Sequence, residues 1–465
     1  ILAATLAAPA QTSAGVIAQK SPPTAPWQVA EMLDIAPVWS GHRVRFALLT
    51  QGGRQYAAYY DAERRMTVVA RPLCSTTWTR QVLPTSVGWD SHNYITMALD
   101  NDGHLHVSGN MHCVPLIYFR TTRPGDITSL EQIPAMVGRN EKSCTYPRFL
   151  TGLQGELLFT YRDGRSGNGQ QYFNVYDLKT RTWRRLFEEP LFAGLGEMSA
   201  YYQGPLRDAE GIYHLAWVWR DTADCATNHD LSYARSRDLV HWKTADSQPL
   251  PLPITPESPT VVDPVPSGGG LLNSAVKMSF DASGRPVLSY LKFDPQGNTQ
   301  IYSARREGDQ WQIRQTSDWD YRWAPSGGGS IRSEIGFSAV EAQPDGSLLQ
   351  SYSHIKYGGG HWLLDEATLK PIGRGQREVI VPRSLYKLES KYPGMTVEIA
   401  ADLAGGRDGS REAGSTGIAA GSPEPAERFF LRWETLPSNR DRPREGDPPP
   451  PTMLRLIRVS TGTAP

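Results

Sequence analysis

The chain has 465 residues, 39% of them hydrophobic and 10% aromatic, which is enough apolar material for a large core and excludes a disordered polymer. Its 48 Lys and Arg balance 48 Asp and Glu, so it lacks the electrostatic footprint of a protein that holds nucleic acid or an anionic membrane non-specifically. Any anionic ligand has to be met by a local cluster, and a monomer with no nucleic-acid or membrane partner is expected.

The first apolar stretch, ILAATLAAPAQTSAGVIAQ over residues 1–19, is short, Ala-rich and ends among small residues. It reads as the tail of a secretory signal. Residues 1–25 are therefore expected to be a leader, the protein to be secreted or periplasmic, and residues 26–465 to form one domain. No other segment is long and apolar enough to span a bilayer. Cys74, Cys113, Cys144 and Cys225 lie far apart with no C-x-x-C pair, which argues against a zinc ribbon and leaves both disulfides and free thiols open.

From residue 100 onward one unit recurs: a turn with Asp and Gly, an alternating strand, a second strand rich in Tyr and Arg, then a polar turn and a Trp. It appears as DNDGHLHVSG, GELLFTYRDG, GIYHLAWVWRDT, SGRPVLSYLKFD and DGSLLQSYSH. The leading glycines, Gly103, Gly155, Gly211, Gly284 and Gly346, are 52 to 73 residues apart, the length of a four-stranded sheet with its loops. Alternation such as Leu157, Phe159 and Tyr161 against Leu158 and Thr160 fits strands, and no long segment has a helical period. At roughly 60 residues per sheet the chain holds about seven, so an all-β, seven-bladed β-propeller of four-stranded antiparallel sheets is predicted. SRDLVHW, from Ser236 to Trp242, is close to the structural Ser-x-Asp…Trp turn of sialidase-type blades, with Leu239 where Gly is usual. Residues 403–426 and 436–451 read as surface loop insertions. The strands FFLRWET and MLRLIRVS are expected to close the ring against early strands around Arg43 to Leu49 and Ala57 to Tyr60.

Chemistry concentrates between residues 91 and 169. SHNY (Ser91 to Tyr94) is followed by HLHVSGNMH, with His104, His106 and His112. His104 and His106 are two apart on a strand and share a face, a spacing that could hold a metal, although core histidines are commoner. His92 and His112 sit at strand edges beside small polar residues, where a propeller presents side chains to its axial pocket. YPRF, with Tyr146 and Arg148, and YRDGRSGNG, with Arg162 and a flexible Gly-rich loop, add a phenol and a strand-end arginine suited to clamping a carboxylate.

The stretches WDSHNYITMALDNDGHLHVSGNMHCVPLIYFRT, TYPRFL, YRDGRSGNG and NHDLSYARSRDLVHW resemble the BNR-4 type of seven-bladed propeller. That group includes ulvan lyases, rhamnose-α-1,4-glucuronate lyases and a related α-L-rhamnosidase. The resemblance implies a polysaccharide lyase acting on an acidic oligo- or polysaccharide, with His92, His112, Tyr146 and Arg162 as catalytic residues. It also implies Asn93, Arg148, Tyr202, Asn228 and His229 as substrate-binding residues. No cofactor is required for such a reaction and no metal is assigned to the site, while a structural calcium or zinc ion remains open.

Uronate β-elimination suits this set. The C5 proton becomes acidic once the C6 carboxylate is neutralised, which Arg162 with Asn228 or His112 would do. A histidine, with an ordinary pKa of about 6.5, suits the base, whereas a tyrosine needs a nearby cation to come down from about 10. The rival reading is the rhamnosidase, which resembles this chain at His42 in VWSGHRVRF and is expected to work on the opposite face. A third reading is a propeller that binds carbohydrate without acting on it.

Overall fold

The computed structural model describes residues 26–405 and 427–461. The expected leader at 1–25 and nearly all of the loop at 403–426 lie outside the described residues.

The described residues form seven antiparallel sheets, the blades of the predicted propeller. Blade 1 runs from Ala47 to Ser86, blade 2 from Ile95 to Gln132, blade 3 from Cys144 to Arg185 and blade 4 from Ser199 to Leu250. Blade 5 runs from Val276 to Gln315 and blade 6 from Ile335 to Arg374. Blade 7 is composite: Thr396–Ala401, Glu427–Thr435 and Thr452–Ser460 are completed by Gln28–Val38 from the other end of the chain. Both ends thus join one sheet, which leaves no open edge in the ring. The C-terminal strands were expected to pair with residues 43–49 and 57–60, but those belong to blade 1. Eleven residues upstream of Trp39, without clean alternation in burial, supply the closing strand instead.

The repeat has a local cause. Asp281 Oδ1 accepts the N–H groups of Ser283 (3.0 Å) and Arg285 (2.9 Å), and Asp100 Oδ1 those of Asp102 (3.0 Å) and His104 (2.8 Å). Such a turn needs a left-handed residue before the next strand. Each of the five leading glycines has φ between +78° and +85°. In SRDLVHW, Leu239 takes the same conformation (φ +65°) where glycine is usual, because its side chain is 3% exposed in the core beside Trp242.

Two blades carry the same buried triad. His106 meets the Tyr118 hydroxyl at 2.7 Å and Asp100 at 3.2 Å; His214 meets Tyr233 at 2.6 Å and Asp208 at 2.9 Å. His104 faces the Thr121 carbonyl at 2.7 Å. The pair considered for a metal is therefore a pair of core histidines, each bound to its own blade. All four cysteines are free thiols.

Strand polarity sorts the loops. The Asp-Gly turns follow the first strand of a blade and lie on one face; the blade-to-blade connections and the turns between second and third strands lie on the other. First strands of neighbouring blades touch around the axis, as Ala47–Gln51 does with Ile95–Leu99, and Thr396–Ala401 with Ala47–Gln51. Among the described residues no helix is long and apolar enough to cross a membrane.

Candidate active site

On the face that carries the blade-to-blade connections, the link from blade 1 to blade 2 begins a tight turn at Asp90. Its Oδ1 accepts the N–H of His92 (2.8 Å) and contacts His92 Nδ1 (2.6 Å). Its other oxygen contacts His112 Nδ1. The two imidazoles stack with ring centroids 4.1 Å apart. One carboxylate thus fixes two rings, placing the proton of each on Nδ1 and leaving Nε2 as a lone pair. Among the described residues neither Nε2 has a protein hydrogen bond, and the side chains are 21% and 29% exposed. Burial alone would raise the Asp90 carboxyl, but the hydrogen bonds from His112 and His92 outweigh it and hold the group well below the usual carboxylate range.

His112 reaches this position because His112–Val114 leaves blade 2 and pairs with Cys144–Thr151, the inner strand of blade 3. Thr145 Oγ1 accepts the Cys113 N–H at 2.9 Å, and Cys113 itself is left-handed (φ +55°). Tyr146 follows, also left-handed (φ +59°) at a register shift in that strand. Its ring lies 5.5 Å from His92. Strain concentrated in adjacent non-glycine residues of one cleft is a common mark of a functional site.

Arg162, on the second strand of blade 3, is 2% exposed. It donates to Tyr201 Oη (3.0 Å) and Thr145 Oγ1 (3.3 Å), and lies 5.0 Å from the Tyr146 ring and 5.6 Å from the Tyr201 ring. Among the described residues the guanidinium makes no ion pair with Asp163 or Asp221, and its Nε has no hydrogen bond. Cation–π contacts return about 2 kcal/mol each when desolvated, against a penalty of several kcal/mol for burying an ion. With no carboxylate partner among the described residues, the guanidinium keeps its charge available to an incoming anion. Arg220, held by the carbonyls of Thr222 (3.0 Å) and Asp224 (3.3 Å), also lies over the Tyr201 ring at 5.5 Å. Burial, with Tyr201 beside it, raises the Tyr146 phenol above its ordinary value despite Arg162 and Arg220, so Tyr146 carries its proton at neutral pH.

This ring of blades, with its site on one face, has known relatives. The model of the BNR repeat-containing family matches residues 54–319, more than half of the chain. The chain belongs to this family. The match contains His92, His112, Tyr146 and Arg162; His42 lies outside it. This BNR-repeat protein is 38% identical over 68 residues to the short isoform of an ulvan lyase from Alteromonas sp. (strain LOR), a stretch that makes up 15% of the chain and 11% of that relative. Its fold is similar to the polysaccharide lyase Uly1, with a TM-score of 0.59 at 12% identity, covering 93% of this chain and 100% of that one. It is also similar to an ulvan lyase of a further polysaccharide lyase family, bound to GlcA(1-4)Rha3S, with a TM-score of 0.57 at 13% identity, covering 92% and 95%.

In the BNR-repeat protein the four expected catalytic residues converge, while the expected binding residues divide. His229 sits in the same face between Asp221 (2.8 Å) and Asp230 (2.9 Å). Arg148 and Tyr202 lie deeper, with Arg148 bonded to the Gly204 carbonyl and stacked 5.2 Å from Tyr202. Asn228 is fully buried, donating to the Cys225 carbonyl at 2.6 Å. Asn93 is buried behind the histidines, its carbonyl accepting the Tyr60 hydroxyl at 2.5 Å. Asn228 Oδ1 is left without a hydrogen bond.

His42 is a correction. It lies in the connection from blade 7 to blade 1, which opens on the same face as the connection carrying His92. Its Nε2 is 3.8 Å from Asp441, whose other oxygen is 3.5 Å from His92 Nδ1. It is buried with neither ring nitrogen hydrogen-bonded, and burial lowers its pKa. The Gly-rich YRDGRSGNG is likewise no flexible loop but a tight hairpin, with Arg165 paired to Asn168. Asp90, Asp441, Tyr201 and Arg220 were missed. Asp90 had a legible signal, an Asp two residues before His92 in a turn; the others had none.

The set Asp90, His92 and His112 offers ligand atoms within 4.8 Å of one another, which is what a cation site would need. Both Nδ1 atoms are turned onto the carboxylate, so a cation held there would replace their protons and leave Nε2 free.

Proposed function

We propose that this BNR-family propeller is a polysaccharide lyase that cleaves the L-rhamnose-α-1,4-D-glucuronate linkage by β-elimination. The observation that carries the reading is Arg162, a buried guanidinium with no carboxylate partner among the described residues, in one cleft with the phenol of Tyr146 and two imidazoles with free Nε2 atoms. The uronate carboxylate pairs with Arg162, and His112 Nε2 lies alongside. His92 Nε2 removes the C5 proton; the electron pair forms the C4–C5 double bond as the C4–O4 bond breaks. Tyr146, which keeps its proton, donates it to the departing O4. H5 and O4 lie on the same side of a 4-linked glucuronate, which suits a base and an acid 5.5 Å apart by ring centroid.

The relative named an ulvan lyase and the neighbour bound to a glucuronate–rhamnose glycan support this reading. A polymeric substrate lies outside the cell, so export belongs to the proposal. The test is ultraviolet absorbance during digestion of a rhamnose-capped glucuronate oligosaccharide. Elimination yields an absorbing unsaturated uronate and a rhamnose with a restored hydroxyl. Free rhamnose with saturated glucuronate would make the protein a hydrolase, and tight retention with no product a binding propeller.

A further inference from the structure

We propose that Asp441, on the loop between the second and third strands of blade 7, is a positioning residue for His92. The inference rests on the lyase reading for its kinetic consequence and on geometry alone for its structural one. The loop at 436–451 has the composition of a solvent-facing insertion, yet it crosses the face and inserts a carboxylate behind the histidines. The Asp441 side chain is 8% exposed. Its Oδ1 accepts both the N–H (3.1 Å) and the hydroxyl (2.9 Å) of Ser91, the residue before His92 and 350 positions away. Its Oδ2 accepts the Ser330 N–H at 2.7 Å and lies 3.5 Å from His92 Nδ1.

One carboxylate therefore holds two connections together, that from blade 1 to blade 2 through Ser91 and that from blade 5 to blade 6 through Ser330, with His42 of the blade 7 to blade 1 connection 3.8 Å away. Asp90 divides its two oxygens between His92 and His112, so by itself it leaves the pair free to tilt together about the carboxylate. Asp441 removes that freedom by clamping the backbone from which His92 projects. The loop is itself held against strain. Arg440 and Asp441 are consecutive left-handed residues (φ +53° and +56°), a conformation that strains a non-glycine residue. Arg440 is secured to the carbonyls of Ser326 (2.8 Å) and Gly328 (3.2 Å), and the Asn439 amide to that of Arg442 (3.1 Å). Strained, over-determined backbone that delivers one buried carboxylate to a histidine is the arrangement expected of a support for that histidine.

The test compares wild type with Asp441→Ala and Asp441→Asn on the rhamnose-capped glucuronate oligosaccharide, with thermal midpoints and histidine-ring ¹H–¹⁵N spectra of the same samples. Loss of a supporting carboxylate is expected to lower kcat about 10-fold to 100-fold with KM within about 2-fold. Asp441→Asn, which keeps an acceptor for Ser91, should recover part of the loss. The His92 ring resonances should move while those of His106 and His214 stay. Wild-type kcat in folded Asp441→Ala, or a lowered midpoint with unmoved His92 resonances, would overturn the proposal. If wild type makes no unsaturated product, the reaction reading fails, and the spectra still decide whether Asp441 positions His92. Should Asp441→Ala not fold, Asp441→Asn carries both readouts.

Discussion

Arg162 owes its place to a residue with no side chain. A Cβ on Gly169 would stand 2.7 Å from Arg162 Cδ, so Gly169→Ala is expected to displace the guanidinium and lower kcat/KM at least 10-fold while the blade still folds. Arg162→Ala should cost on the order of 3 kcal/mol of transition-state stabilisation, about 100-fold in kcat/KM. Arg162→Lys should recover little, because an ammonium cannot reproduce the planar fork. The exposed Arg184 is the control, since its neighbour Arg185 is buried and bonded to Tyr161 (2.9 Å) and Asn174 (2.6 Å). His92→Ala is expected to lower the rate of unsaturated-product formation about 100-fold to 10,000-fold. Equal, small effects at Arg162 and Arg184, read by initial rates, would remove Arg162 from the site. At this scale the motif residues were legible because SHNY, NMH and YRDG are specific, but which asparagine faces the cleft was not. Asn93 and Asn228 differ from a cleft residue only in how neighbouring blades cover them.

Within the blades, buried histidines tie stability to pH. Burial lowers the pKa of His106 and His214, and the hydrogen bonds to Asp100 and Asp208 only partly oppose it. Below their ordinary value of about 6.5 the unfolded chain binds protons that the native blades exclude. Their contribution is therefore complete above that pH and is lost as pH falls through the lowered folded values. The thermal midpoint is expected to drop steadily from pH 7 to pH 5, and His214→Gln should flatten part of that slope; a flat profile in wild type would contradict it. Leu239 sets two effects against each other. Leu239→Gly relieves a left-handed leucine, worth about 1–2 kcal/mol, but removes a buried side chain worth about 2–5 kcal/mol. Calorimetry is expected to show net destabilisation, even though glycine is the usual residue in that turn.

Across the whole molecule, closure depends on a strand far from its partners in sequence. Gln28 pairs with Ser460 and Val38 with Thr452, so removing residues 26–38 should open blade 7, lower the thermal midpoint by many degrees and carry away the anchorage of the loop that bears Asp441; an unchanged midpoint would show that the ring closes without it. The five glycine turns, four of them built on an aspartate, the alternating strands and their spacing determined the propeller by themselves, since a left-handed glycine in a tight turn and a period of two are local requirements that leave a local trace. The cluster of His92, His112, Tyr146 and Arg162 was legible for a related reason, because all four lie within 71 consecutive residues on adjacent blades. Only the tertiary structure decided that His42 shares their face, that Gln28–Val38 closes the ring, and that Asp441 reaches His92. Those outcomes follow from strand polarity and ring closure, which bring together segments some 350 residues apart and leave no periodic or compositional mark on either of them.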